Sequence, residues 1–169
     1  MNNIQFLFLL FALSILTTSC GDDDSDSGSK SNQVTYLGES DDLTAGALQS
    51  YGGNADGSFD WDVTLVGGTL TVNSQGISTG EGPELYLDLN TNSSTGLVNG
   101  TYDYSDGNRM AFNFVDANLD NIGSETEITG GTVTISASDI DAVDISFNLE
   151  DDDGNPVTGS YIGALILVQ

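Results

Sequence analysis

The chain contains no histidine, and its one cysteine, Cys20, lies near the N-terminus. Two side chains are positive, Lys30 and Arg109, against 26 acids, for a formal net charge of −24 at pH 7. The apolar run Phe6–Leu16 is interrupted by Ser14 alone, yet it falls short of the roughly 20 residues a helix needs to span a bilayer. Each shortage removes a class of function. Without histidine there is no Ser-His-Asp or Cys-His centre and no imidazole metal site. A single cysteine forms no disulfide within the chain and no zinc thiolate cluster. With so little positive charge, phosphate esters, nucleotide cofactors, nucleic acid and anionic lipid surfaces are unfavoured partners. No GxGxxG or phosphate-loop pattern is present. Two carboxylate chemistries survive: oxygen-ligand cation binding and glycoside hydrolysis.

The N-terminal run has the length of a secretory signal's apolar region. Leu16-Thr17-Thr18-Ser19-Cys20 resembles a bacterial lipobox, with Thr17 three places before the cysteine and Leu16 one step further back. The resemblance implies that residues 1–19 are a lipoprotein signal peptide and that Cys20 is lipidated, becoming the mature N-terminus. Residues 20–32 then form the lipidated cysteine and an acidic tether, because Gly21 to Asn32 holds no apolar side chain that could pack. Twelve such residues reach on the order of 20 Å. The acidic start Asp22-Asp23-Asp24 resembles the export signal of Bacteroidota-type surface lipoproteins, which implies outer-membrane anchoring facing the exterior. A plain solvated linker accounts for the same composition.

Residues 33–169 read as one domain. Phe59, Trp61, Val63 and Leu65 alternate with Asp60, Asp62 and Thr64. Leu85, Leu87 and Leu89 alternate with Tyr86 and Asp88, and Val143 to Leu149 repeats the pattern. Period-2 runs with one apolar and one wet face, set off by Gly pairs, predict an all-β fold. The expectation is an antiparallel β-sandwich of about nine strands, with a small β-barrel as the alternative. Ile128–Ile135, Gly154–Tyr161, Gly100-Thr101-Tyr102 and Leu85–Leu89 resemble an uncharacterised domain of such surface lipoproteins, which implies a β-sandwich on an outer surface.

Two constellations could carry chemistry. In Asp116 to Glu127, oxygen side chains stand at places 1, 3 and 5 (Asp116, Asn118, Asp120) and Glu127 at place 12, the ligand spacing of an EF-hand calcium loop. Place 6 is Asn121 instead of glycine, and the flanks read as strands, so a long polar connection is the competing reading. Tyr86, Tyr102 and Tyr104 on neighbouring strands offer rings that could stack on sugars, although Tyr102 and Tyr104 also suit a core. The sequence therefore predicts a non-enzymatic surface lipoprotein with a binding or structural role, membrane-bound through its lipid and stabilised by calcium. The alternative is a carbohydrate-binding or polysaccharide-degrading surface protein, with glycoside hydrolysis as the surviving enzymatic option.

Overall fold

The computed structural model describes residues 31–73, 76–121 and 124–168. The signal segment, Cys20 and the tether as far as Lys30 lie outside the described residues. Among the described residues thirteen strands follow one another: β1 (Gln33–Tyr36), β2 (Glu39–Asp42), β3 (Ala45–Gly53), β4 (Phe59–Val66), β5 (Leu70–Asn73), β6 (Gly76–Thr79) and β7 (Pro83–Thr91). Then come β8 (Gly100–Tyr104), β9 (Asn113–Asn121), β10 (Glu125–Ala137), β11 (Val143–Asp151), β12 (Pro156–Gly163) and β13 (Leu165–Val168). No helix occurs among the described residues.

The all-β expectation holds, while the architecture differs from an antiparallel sandwich of about nine strands. Eleven strands form one large curled sheet, a half-barrel, in the order β13-β3-β4-β7-β9-β8-β10-β11-β12-β1-β2, and β5 pairs with β6 alone. The sheet is mixed, because β13 runs parallel to β3 and β8 runs parallel to β9. Alternation along each strand is the same in a sandwich and in a curled sheet. What separates them is which strands pair, and that is decided by contacts distant in sequence.

The apolar parity of every long strand points to the inside of the curl. Trp61, Val63 and Leu65 of β4, Leu85, Leu87 and Leu89 of β7, and Ile145, Phe147 and Leu149 of β11 join Phe114, Val133 and Tyr161 in one buried cluster. Each large aliphatic chain buried there contributes roughly 1.5–3 kcal/mol relative to exposure. Because the core occupies the inner face, the polar parity of β4, β7 and β9 is turned outward, and that outer face carries the site.

β12 ends at Gly163 and β13 starts at Leu165, where Leu165 N donates to Ile140 O at 2.8 Å. The acidic run after β11 is a hairpin turn. Asp151 accepts from the backbone of Asp153 at 3.0 Å and Asn155 at 2.7 Å, closing the chain into β12.

Candidate functional site

The antiparallel register of β4 and β7 sets Asp62 opposite Asp88, Asp60 opposite Asn90 and Thr64 opposite Tyr86, all on the outer face. Two carboxylates directly opposite repel, so this pairing needs compensation. It comes from Arg109, the one cationic side chain beyond Lys30. Its Nη1 donates to Asp60 Oδ2 and to Asp88 Oδ1, both at 2.8 Å, and its Nη2 donates to Asp88 Oδ2 at 2.6 Å. Tyr86 adds a hydroxyl donor to Asp62 Oδ2 at 2.7 Å.

Arg109 is aimed by the connection between β8 and β9. Asn113, at the start of β9, brackets it: its Nδ2 donates to Asn108 O, and its Oδ1 accepts from Met110 N at 3.1 Å. Phe112 N reaches across to Asn90 O at 2.7 Å. To do so Phe112 adopts φ +66°, a left-handed conformation costing a bulky residue roughly 1–3 kcal/mol. Its ring is seated 5.5 Å from the Tyr102 ring and over Gly100, where a Cβ would lie 2.8 Å from the Phe112 ring. Gly100 therefore leaves room for the ring that pins the connection which delivers Arg109.

Burial shapes the acidity of the cluster. Asp62 is pushed up to about 7 by burial and by the charges of Asp88 and Asp60, partly offset by the Tyr86 hydroxyl and Arg109. Asp60 rises to about 6, through burial, the Asp88 charge and contact with Asp88, against the pull of Arg109. Near neutral pH the cluster therefore carries less than three full negative charges. The Tyr86 phenol is raised in turn by burial and by its bond to Asp62.

Asp60, Asp62 and Asp88 each offer an oxygen, and these lie within 4.8 Å of one another. Oxygens on opposite sides of a calcium ion stand about 4.6–5.2 Å apart, so the group can hold a metal ion. An ion here competes with Arg109, which engages both oxygens of Asp88.

Of the residues expected from the sequence, Tyr86 lies in the cluster, and Asp116 and Asn118 of β9 pair opposite Asp88 and Tyr86. Asp116 to Asp120 is not a loop: β9 and β10 pair directly, with Asp120 opposite Glu125 and Asn118 opposite Glu127. Asp116, Asn118 and Asp120 point outward while Ala117 and Leu119 are buried. At about 3.3 Å per residue, Asp116 and Asp120 stand about 13 Å apart, too far to ligate one ion. Asn118 and Glu127 are brought together as cross-strand neighbours. Of the tyrosines, Tyr86 is on the outer face within the cluster. Tyr102 is fully buried with its hydroxyl on Val98 O at 2.8 Å, and Tyr104 is partly buried against the Phe114 ring at 5.4 Å. Asp60 and Asp62 went unselected in the sequence because alternation marks them only as solvent-facing. The signal available was the isolation of Arg109, which has to meet some of the many acids. No protein family, curated protein or solved structure matches this chain.

Proposed function

We propose that this chain is an exported protein anchored through Cys20 to the outer membrane and facing the exterior, and that its folded domain binds a ligand on the outer face of β4 and β7. The observation that carries the binding role is Arg109 meeting Asp60 and Asp88 beside Asp62, at 2.6–2.8 Å. Three carboxylates brought together across β4 and β7 are unfavourable for the fold on their own, and this reading takes the cluster as a recognition surface. Turnover is a weaker reading. Glycoside hydrolysis needs two carboxyls flanking a bond, and here Asp88 is closed by a bidentate guanidinium.

The lipobox resemblance and the tether support the anchored reading. The start of the domain is tied to β12, where Asn32 Nδ2 donates to Ile162 O at 2.9 Å and Asn32 Oδ1 accepts from Ile162 N at 2.8 Å. Calcium is the cation that suits this oxygen-only ligand set.

The test is metabolic labelling with palmitate, followed by fractionation and protease treatment of whole cells. Cys20→Ala abolishes labelling and releases the protein from membranes. Replacing Asp22, Asp23 and Asp24 with alanine keeps the anchor and reduces access to external protease. Continued labelling of Cys20→Ala removes the anchor from this reading.

A further inference from the structure

We infer that the outer face of β3, β4 and β7 is a saccharide subsite, seating a neutral sugar ring against Tyr51 with its hydroxyls on Asp60, Asp62, Asn90 and Arg109. This rests on the binding role proposed above and names the ligand class.

Tyr51 supplies the apolar platform. It sits in β3 where the register with β4 shifts between Ser50 and Gly52, a bulge that turns an extra residue outward. The side chain is 61% exposed, so packing the core is not its role. The register sets Gln49 opposite Asp62 and Gly52 opposite Asp60, so the bulged Tyr51 lies beside the strand that carries these carboxylates, and burial together with their charges raises its phenol. An exposed ring next to hydrogen-bonding side chains matches a sugar, whose C–H face is apolar and whose rim is hydroxylated.

The second, independent observation is Asn90. It is fully buried on the same face, opposite Asp60 and two residues from Asp88. Its Oδ1 accepts from Asn54 Nδ2 at 2.8 Å, while its Nδ2 has no partner. Asp60 Oδ1 is likewise buried without a partner. A donor and an acceptor left unpaired on facing residues are both satisfied by one group that accepts and donates, which is what a hydroxyl does. A cation held by Asp60, Asp62 and Asp88 leaves the Asn90 N–H unpaired, so it does not replace the hydroxyl. Both atoms are closed to bulk solvent, so a ligand hydroxyl reaches them only with a shift of neighbouring side chains, Arg109 on Asp60 among them. The 22 acids that surround a single arginine beyond residue 33 exclude anionic sugars.

The test uses the detergent-solubilised full-length protein on an array of neutral, uronic and sulfated glycans, followed by calorimetry with the best soluble neutral oligosaccharide. Neutral glycans bind, Tyr51→Ala weakens binding at least roughly tenfold, and Tyr51→Phe keeps the ring and stays within about threefold of the parent. An array silent to neutral glycans, binding confined to anionic glycans, or full affinity in Tyr51→Ala each overturns the inference. Spermine and calcium are titrated in parallel. Binding of either with no glycan response leaves the recognition surface standing and removes the saccharide.

Discussion

Arg109 holds Asp88 through two parallel hydrogen bonds, Nη1 to Oδ1 at 2.8 Å and Nη2 to Oδ2 at 2.6 Å. The same Nη1 reaches Asp60 Oδ2 at 2.8 Å, so one guanidinium joins β4 to β7 from above. This geometry depends on the planar fork of arginine, because an ammonium offers no second parallel donor.

Removing that fork leaves Asp60 and Asp88 beside Asp62 without their cationic partner. Arg109→Met is expected to lower unfolding free energy by about 2 kcal/mol, the scale of charge-assisted hydrogen bonds reduced for partial exposure. Arg109→Lys restores only part of the loss. Urea unfolding of the two variants measures this, and complete recovery by lysine would show that charge alone matters.

The pH dependence follows from Asp62 and Asp60, raised to about 7 and about 6 by burial and mutual repulsion. A carboxyl with a higher pKa folded than unfolded holds its proton more tightly in the native state. Its stabilisation is therefore complete below the unfolded value near 4 and is lost as pH rises through the folded value. Stability is expected to fall from about pH 5 to about pH 8, more steeply in the parent than in Asp62→Asn, which keeps an acceptor for Tyr86. Thermal melts across that range compare the slopes. Parallel slopes would mean that general repulsion among the acids, not Asp62, sets the trend.

Two adjacent glycines in β10 are expected to respond in opposite ways. Gly131 has φ +101°, and a Cβ there would lie 2.3 Å from Asn148 O and 2.5 Å from Leu149 Cα. At Gly130 the nearest atom to an added Cβ is that of Glu150, at an ordinary 3.5 Å. Gly131→Ala should cost upwards of about 2 kcal/mol or prevent folding, whereas Gly130→Ala should change stability by less than about 1 kcal/mol. Similar melting points for both variants would contradict the pairing of β10 with β11.

The strands were legible because alternation is local. Trp61, Leu87 and Ile145 declare their inner face from their neighbours alone. The partnership of β4 with β7 is not local, and neither is the parallel docking of β13 on β3. Asp116, Asn118 and Asp120 show how one pattern serves two readings. Oxygens at alternate places suit a cation loop, and they equally suit the outward parity of a strand whose inward parity is Ala117 and Leu119. The apolar residues between the oxygens favour the strand, and the pairing of Asn118 with Glu127 follows that choice. Arg109 could be singled out by its isolation, but its destination required the register that places Asp62 opposite Asp88.

Calcium provides the sharpest discrimination between the carboxylate cluster and the β9–β10 hairpin. A hard cation takes six to eight oxygens at 2.3–2.6 Å, and Asp60, Asp62 and Asp88 present oxygens within 4.8 Å of one another. At ten times its dissociation constant an ion stabilises the folded state by about 1.4 kcal/mol. Thermal melting in calcium against magnesium at matched ionic strength is expected to show a higher midpoint in calcium. Asp120→Asn with Glu127→Gln should keep that gain, because neither side chain belongs to the Asp60, Asp62 and Asp88 group. Asp60→Asn with Asp62→Asn should abolish it. Arg109→Met should bind calcium more tightly than the parent despite its lower intrinsic stability, since the guanidinium no longer competes for Asp88. Equal midpoints in the two ions would remove calcium from the domain, and a gain lost only in the hairpin variant would return the site to β9 and β10.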